Sequence, residues 1–161
     1  MDTRIAPLAD ILRLNTVLFR NCLDGLSDEQ AVVRPSNGTN SATFIAAHLA
    51  SSRFFLLKTL GVDERDPLAS YLDGRKGIDE CAQLPSLREI DAAWTLGAHL
   101  LRDRLDALTP ADLDGPSTLK FPLANGTLLA TLTFLVQHDS YHVGQLSLLR
   151  KYAGLPAMRY Q

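Results

Sequence analysis

The sequence predicts an all-α fold: a four-helix bundle with long connections between its second and third and its third and fourth helices. Three observations predict it. Leu and Ala number 30 and 18 among 161 residues, against 11 Val plus Ile, and the first pair favours helices where the second favours strands. The prolines stand at 7, 35, 67, 85, 110, 116, 122 and 156, leaving long proline-free windows at 8–34, 36–66, 86–109 and 123–155. A proline inside a helix costs about 3 kcal/mol, so those windows are where long helices fit. Within them, apolar residues recur at the three-four spacing of a helix with one buried face.

The elements follow in order. Helix one runs from about Pro7, which suits a first turn, to Asp24, with Leu8, Ile11, Leu12, Val17 or Leu18, and Cys22 as its inward stripe. Gly25 stops it, and Ser27-Asp28-Glu29-Gln30 is a capping box opening one short turn that Pro35 ends. Helix two runs from Ser41 to Gly61 and is apolar over much of its circumference, as a deeply packed helix is. Residues 62–85, with Pro67, Gly74 and Gly77, form an irregular connection holding a short helix at Leu68–Leu72. Helix three opens on the capping box Ser86-Leu87-Arg88-Glu89 and turns Ile90, Trp94, Gly97 or Ala98, Leu101, Leu105 and Leu108 inward, until Thr109-Pro110 closes it. Residues 111–126 are read as a loop, with Phe121 plugging the bundle end. Helix four spans Thr127 to Ala153, and Gly154-Leu155-Pro156 stops it. No repeat or linker divides the chain, so residues 1–161 are expected to form one domain.

Composition narrows the function. Net charge is −2 and no basic run is present, which argues against nucleic-acid binding. Cys22 and Cys81 form no CxxC, and a reduced cytoplasmic setting with two structural thiols is expected. The segment MDTRIAPLAD lacks the apolar core of a signal peptide. The longest apolar stretch, Leu128 to Val136, runs into Gln137-His138-Asp139 and is too short to cross a bilayer, so no membrane partner is expected.

The candidate chemistry lies in the histidines. His138 and His142 are four apart in helix four, on one face, where two imidazoles can reach one cation. Leu128, Thr131, Leu135, Gln145 and Leu149 share that strip, apolar at its ends and polar in the middle, so it is expected to point into the bundle. Gln145, one turn on, can hold the His142 ring or a bound water. A third ligand is needed. His48 shares its strip with Phe44, Ile45, Ser52 and Phe55, whereas His99 sits with Arg88, Ala92, Thr95, Arg102 and Asp106 on a wet face. His48 is therefore the better ligand. Three neutral nitrogen donors leave coordination positions open to water or substrate, as catalytic sites do, and zinc, nickel and iron(II) all suit imidazole. Asp139 reads either as a supporting group behind the ligands or as a solvated helix residue, and Tyr141 as a rim, relay or packing residue.

The segment His138-Asp139-Ser140-Tyr141-His142-Val143-Gly144-Gln145-Leu146, with Leu149-Arg150 and Gly154-Leu155-Pro156 after it, resembles the last helix of the DinB/YfiT-like superfamily. Thr43-Phe44-Ile45-Ala46-Ala47-His48-Leu49 is similar to that family's second helix, and Leu26-Ser27-Asp28-Glu29-Gln30 with Arg34-Pro35 to the connection before it. The resemblance implies a four-helix bundle, commonly homodimeric, with a divalent metal on three histidines, here His48, His138 and His142, and Asp139 in the family's acidic position. Characterised relatives in that family include thiol-dependent S-transferases and isomerases that use low-molecular-weight thiols; the expectation here is a metal-dependent thiol transferase or hydrolase acting on a small molecule, with such a thiol as partner.

Two other readings follow from the same residues. His-Asp-x-x-His resembles the zinc-peptidase pattern His-Glu-x-x-His, with an acid one methylene shorter and no strand to align a peptide. The third reading is a non-catalytic dimerising bundle with a structural or vestigial metal. Structural zinc is usually closed by four ligands, often cysteines, and Cys22 and Cys81 lack that spacing.

Overall fold

The computed structural model describes residues 2–72, 77–117, 119, 121–123 and 125–160; Gly74, assigned above to the irregular connection, lies outside them. These residues form seven α-helices and no strand. They are α1 (Ala6–Leu23), α2 (Asp28–Ala31), α3 (Ala42–Thr59), α4 (Ala69–Leu72), α5 (Leu87–Asp106), α6 (Pro110–Asp114) and α7 (Leu128–Tyr152), with a 3-10 turn at Ile78–Glu80. The long helices α1, α3, α5 and α7 are the four expected.

Local chemistry sets their ends. The hydroxyls of Ser41, Ser86 and Thr127 accept from the backbone N–H groups of Phe44, Glu89 and Ala130, capping α3, α5 and α7. Gly25, Gly61 and Gly154 follow α1, α3 and α7 with φ of 76°, 81° and 81°, a region that disfavours any side chain. Helix α6 falls where a loop was expected. Thr109-Pro110-Ala111-Asp112 is itself a capping box, in which Thr109 accepts from the Asp112 N–H and the Asp112 carboxylate accepts from the Thr109 N–H.

The long helices pack in a closed ring: α1 on α7, α7 on α3, α3 on α5, and α5 on α1. Cross-helix bonds give their directions. Asn15 meets Ser140 and Arg150 meets the Cys22 carbonyl, so α1 and α7 run parallel. Arg53 beside Gly97 and Arg104 on the Leu60 carbonyl make α3 and α5 parallel to each other. A parallel pair needs a connection that returns the length of the bundle, about 30 Å for a 20-residue helix. The long crossover between α3 and α5 makes that return. No helix of the described residues is long and apolar enough to cross a membrane.

The core is largely apolar, with Asn15, Arg53 and Asp139 buried together near its centre. Trp94 is fully buried, stacks on Phe19 at 4.0 Å and donates its indole N–H to the Thr16 carbonyl at 3.2 Å. On α1, Leu12, Leu18 and Cys22 face inward as expected. Ile11 and Val17 are exposed instead, while Asn15 and Phe19 take inward places. Phe121 stacks on Phe134 at 4.1 Å. At the far end, Arg150 donates to the carbonyls of Cys22, Asp24 and Pro156, holding the last turn of α1 and the chain after α7.

Candidate metal centre

The expected strip of α7 lies along the edge of the helix's buried face: Thr131 and Leu135 are buried, and Leu128, His138, His142, Gln145 and Leu149 are half-buried. The buried residues of α7 are Thr131, Leu132, Leu135, Val136, Asp139, Val143, Leu146 and Arg150. His138 and His142 lie about 100° around the helix from Asp139 and Val143, on the flank turned to α3, and are half-buried. The polar middle that suggested an interior strip is instead half-buried, with Tyr141 beside it exposed. Phe55 on α3 is likewise 44% exposed rather than buried.

His48 comes from α3 to meet the pair. Its Nε2 lies 3.2 Å from His138 Nε2, and His138 Nε2 lies 3.1 Å from His142 Nε2. One ligand atom from each of the three residues falls within 4.8 Å of the others, and no other such group of His, Cys, Asp or Glu occurs among the described residues. Bonds of about 2.0–2.1 Å to a tetrahedral ion put ligand nitrogens about 3.3 Å apart. Both observed separations are of that size, so the three residues could hold one divalent ion. His99 lies on α5, exposed, beside Arg102 and Asp103 and away from the site.

The protonation state suits ligation. Burial pushes the His48 imidazole down to about 4, and His142 and His138 beside it act the same way. Burial also lowers His138 and His142 below the usual imidazole range. All three are neutral at pH 7, so each offers a lone pair with no proton to displace. His142 Nδ1–H donates to Gln145 Oε1 at 2.6 Å, which leaves Nε2 as the free donor atom, and Gln145 Nε2 donates to Tyr141 Oη at 3.1 Å. Tyr141 is 57% exposed and its ring stands edge-on to His142 at 5.0 Å, on the solvent side of the cluster. The Phe44 ring is nearly parallel to that of His48, 6.5 Å between centres.

Asp139 is neither solvated nor bonded to a histidine. Its carboxylate turns to the bundle centre, 2.9 Å from the Arg53 guanidinium and 3.5 Å from Asn15 Nδ2, and the ion-pair side chains are 5% and 2% exposed. From there its charge still favours protonation of His138 and His142, opposing burial. Arg53 also donates to Thr16 Oγ1 at 2.8 Å and to the Leu12 carbonyl at 3.3 Å, and lies 3.3 Å over the Trp94 ring. Sequence reasoning missed Arg53, although a charge well inside a largely apolar helix is the signal that marks it.

The comparisons with known proteins agree with this architecture. The family model described as the DinB superfamily matches residues 11–146. A conserved protein from Enterococcus faecalis superposes with a TM-score of 0.73 at 14% identity, over 95% of this chain and 98% of that one. A DinB-like protein from Bacillus cereus gives 0.72 at 20% identity, over 96% of each chain, and a DinB-like protein from Bacillus subtilis gives 0.64 at 16%, over 99% of each. At these identities the likeness is one of fold. No curated protein matches the chain. With the match spanning most of the sequence and the same fold found in DinB-like structures, the chain belongs to the DinB superfamily.

Proposed function

We propose that the protein is a divalent-metal-dependent enzyme whose ion is held by His48, His138 and His142. The observation that carries this reading is the set of Nε2 separations, 3.1 and 3.2 Å, among three neutral imidazoles from two helices. A zinc, nickel or iron(II) ion there would supply Lewis acidity toward a thiol or water at neutral pH. The chain's own groups do the rest. Gln145 orients the His142 ring, and Tyr141 Oη, carried on Gln145, offers a donor at the rim. The exposed Tyr141 ring beside His142 offers an aromatic surface next to the site, which suits a small substrate with an apolar portion.

The reaction class we favour is thiol-dependent S-transfer, with hydrolysis as the related alternative. A cleft of about 270 Å³ lies beside the start of α3, lined in part by Gln30, Arg34, Ala42, Leu149 and Tyr152. Ala42 is six residues before His48, about 9 Å along the helix. In this reading the cleft takes the body of a low-molecular-weight thiol whose sulfur reaches the histidines. A homodimer in the cytoplasm is the assembly this reading carries.

Two observations weigh against the other readings. The Asp139 carboxylate is turned about 100° around α7 from His138 and bonded to Arg53, so it is not placed to be a peptidase base. Cys22 is buried in the core with its thiol pushed up to about 11 by burial, and neither cysteine joins the histidine cluster, so no closed four-ligand shell forms among the described residues.

The test is metal content by mass spectrometry after dialysis against trace metal, for the native chain and His142→Ala. One bound ion per chain, lost in the variant, is expected. Stoichiometric metal retained by His142→Ala overturns the assignment.

A further inference from the structure

Helix α3 presents a packing problem that apolar contacts do not solve. Its buried residues run almost without a break from Ala42 to Leu57, so nearly every side of the helix is apolar. Such a surface packs about as well after a small rotation or slip. A slip of one residue moves a side chain 1.5 Å along the axis and turns it by 100°. His48 would then leave the other two imidazoles, yet its Nε2 sits 3.2 Å from His138 Nε2.

Arg53 is the one charged residue among the buried positions of α3, five residues after His48. Its guanidinium is held from all three other long helices: by Thr16 and Leu12 of α1, by the Trp94 ring of α5, and by Asp139 of α7. Asp139 adjoins His138, so the ion pair bridges the two helices that carry the ligands. Buried ion pairs are often replaceable by apolar side chains without loss of stability, and their best-attested use is to select one register.

We propose that the Arg53–Asp139 ion pair is the positioning device of the histidine site, locking the rotation and register of α3 against α7 so that His48 meets His138 and His142. Its geometric part stands whether or not the site takes a metal; its effect on affinity rests on the metal-site reading above.

The test uses the full chain with Arg53→Met and Asp139→Leu together, which removes the pair without leaving a buried charge alone. Zinc affinity by chelator competition, melting of the zinc-free protein and a crystal structure of the zinc-free variant are measured. Folding is retained, zinc binds at least tenfold more weakly, and His48 Nε2 withdraws from His138 Nε2 to beyond about 5 Å, more than one shared ion allows. A purely structural role would lower the melting temperature and leave the affinity and the nitrogen separations unchanged, and that result overturns the proposal. Should the double variant not fold, Arg53→Lys decides. It keeps the charge but loses the planar fork, so zinc binding at least threefold weaker supports the proposal and unchanged binding refutes it. If the native chain takes up no zinc, the metal-site reading fails, and the nitrogen separations in the zinc-free variant still decide the positioning role.

Discussion

Lowering the pH of the metal-free protein tests the electrostatics of the site directly. In the unfolded chain His48 takes up its proton near pH 6.5; in the fold it does so only at about 4, because burial and the two neighbouring imidazoles oppose the charge. Between those values the unfolded state binds more protons, so acid favours unfolding. The stability contributed by keeping His48 neutral is whole above pH 6.5 and is lost as the pH falls toward 4. At about 1.4 kcal/mol per pH unit the whole effect is about 3 kcal/mol, of which about 2 kcal/mol disappears between pH 7 and pH 5. That is a large share of the roughly 5–15 kcal/mol typical of a domain. His138 and His142 are shifted in the same direction and add to the slope. The assay is urea unfolding in the presence of a chelator at half-unit intervals from pH 7 to 5, above the usual carboxylate range. The fluorescence of Trp94, the only tryptophan and fully buried, is the probe. The variant His48→Gln should show a visibly shallower loss. A native chain whose stability is flat over this window, or a variant with the same slope, refutes the reasoning.

Further outcomes follow from other contacts. A Cβ on Gly97 would lie 3.3 Å from Arg53 Cβ and 3.5 Å from Phe54 Cε2, so Gly97→Ala should destabilise by about 1 kcal/mol despite the better helix propensity of Ala; a raised melting temperature would contradict this. Arg150→Met removes the donors to the Cys22, Asp24 and Pro156 carbonyls and should cost about 2–4 kcal/mol in denaturant unfolding, with faster hydrogen exchange at the end of α1. Zinc at a hundred times its Kd should stabilise the native chain by about 2.7 kcal/mol at pH 7, reversibly by chelator and not in His142→Ala; equal stabilisation of both proteins would place the ion elsewhere.

The four long helices were legible because their signals are local. Proline positions, the caps Ser41, Ser86 and Thr127, and the glycines at 25, 61 and 154 act within one turn of themselves, and the structure uses each as expected. The same local chemistry at Thr109-Asp112 makes α6, where the density of proline and glycine had suggested a loop. Helix faces were read less well. Spacing shows that residues share a face but not what that face meets. The strip of His138 and His142 was therefore placed in the interior, when only Thr131 and Leu135 of it are buried and α7 turns Asp139 and Val143 inward, leaving the histidines half-buried toward α3.

By itself, then, the sequence determined which segments are helical, where they stop, and that His138 and His142 share one face of one helix; these depend on backbone geometry and on neighbours within four residues. That His48 completes the cluster could be argued from its strip, but its 3.2 Å approach to His138 is a property of how α3 and α7 dock. Only the tertiary structure decided that Asp139 is a core residue bound to Arg53 and that the three histidines meet half-buried between α3 and α7. Those facts join residues 86 positions apart in the chain, and no local rule connects Arg53 to Asp139 until four helices close around them.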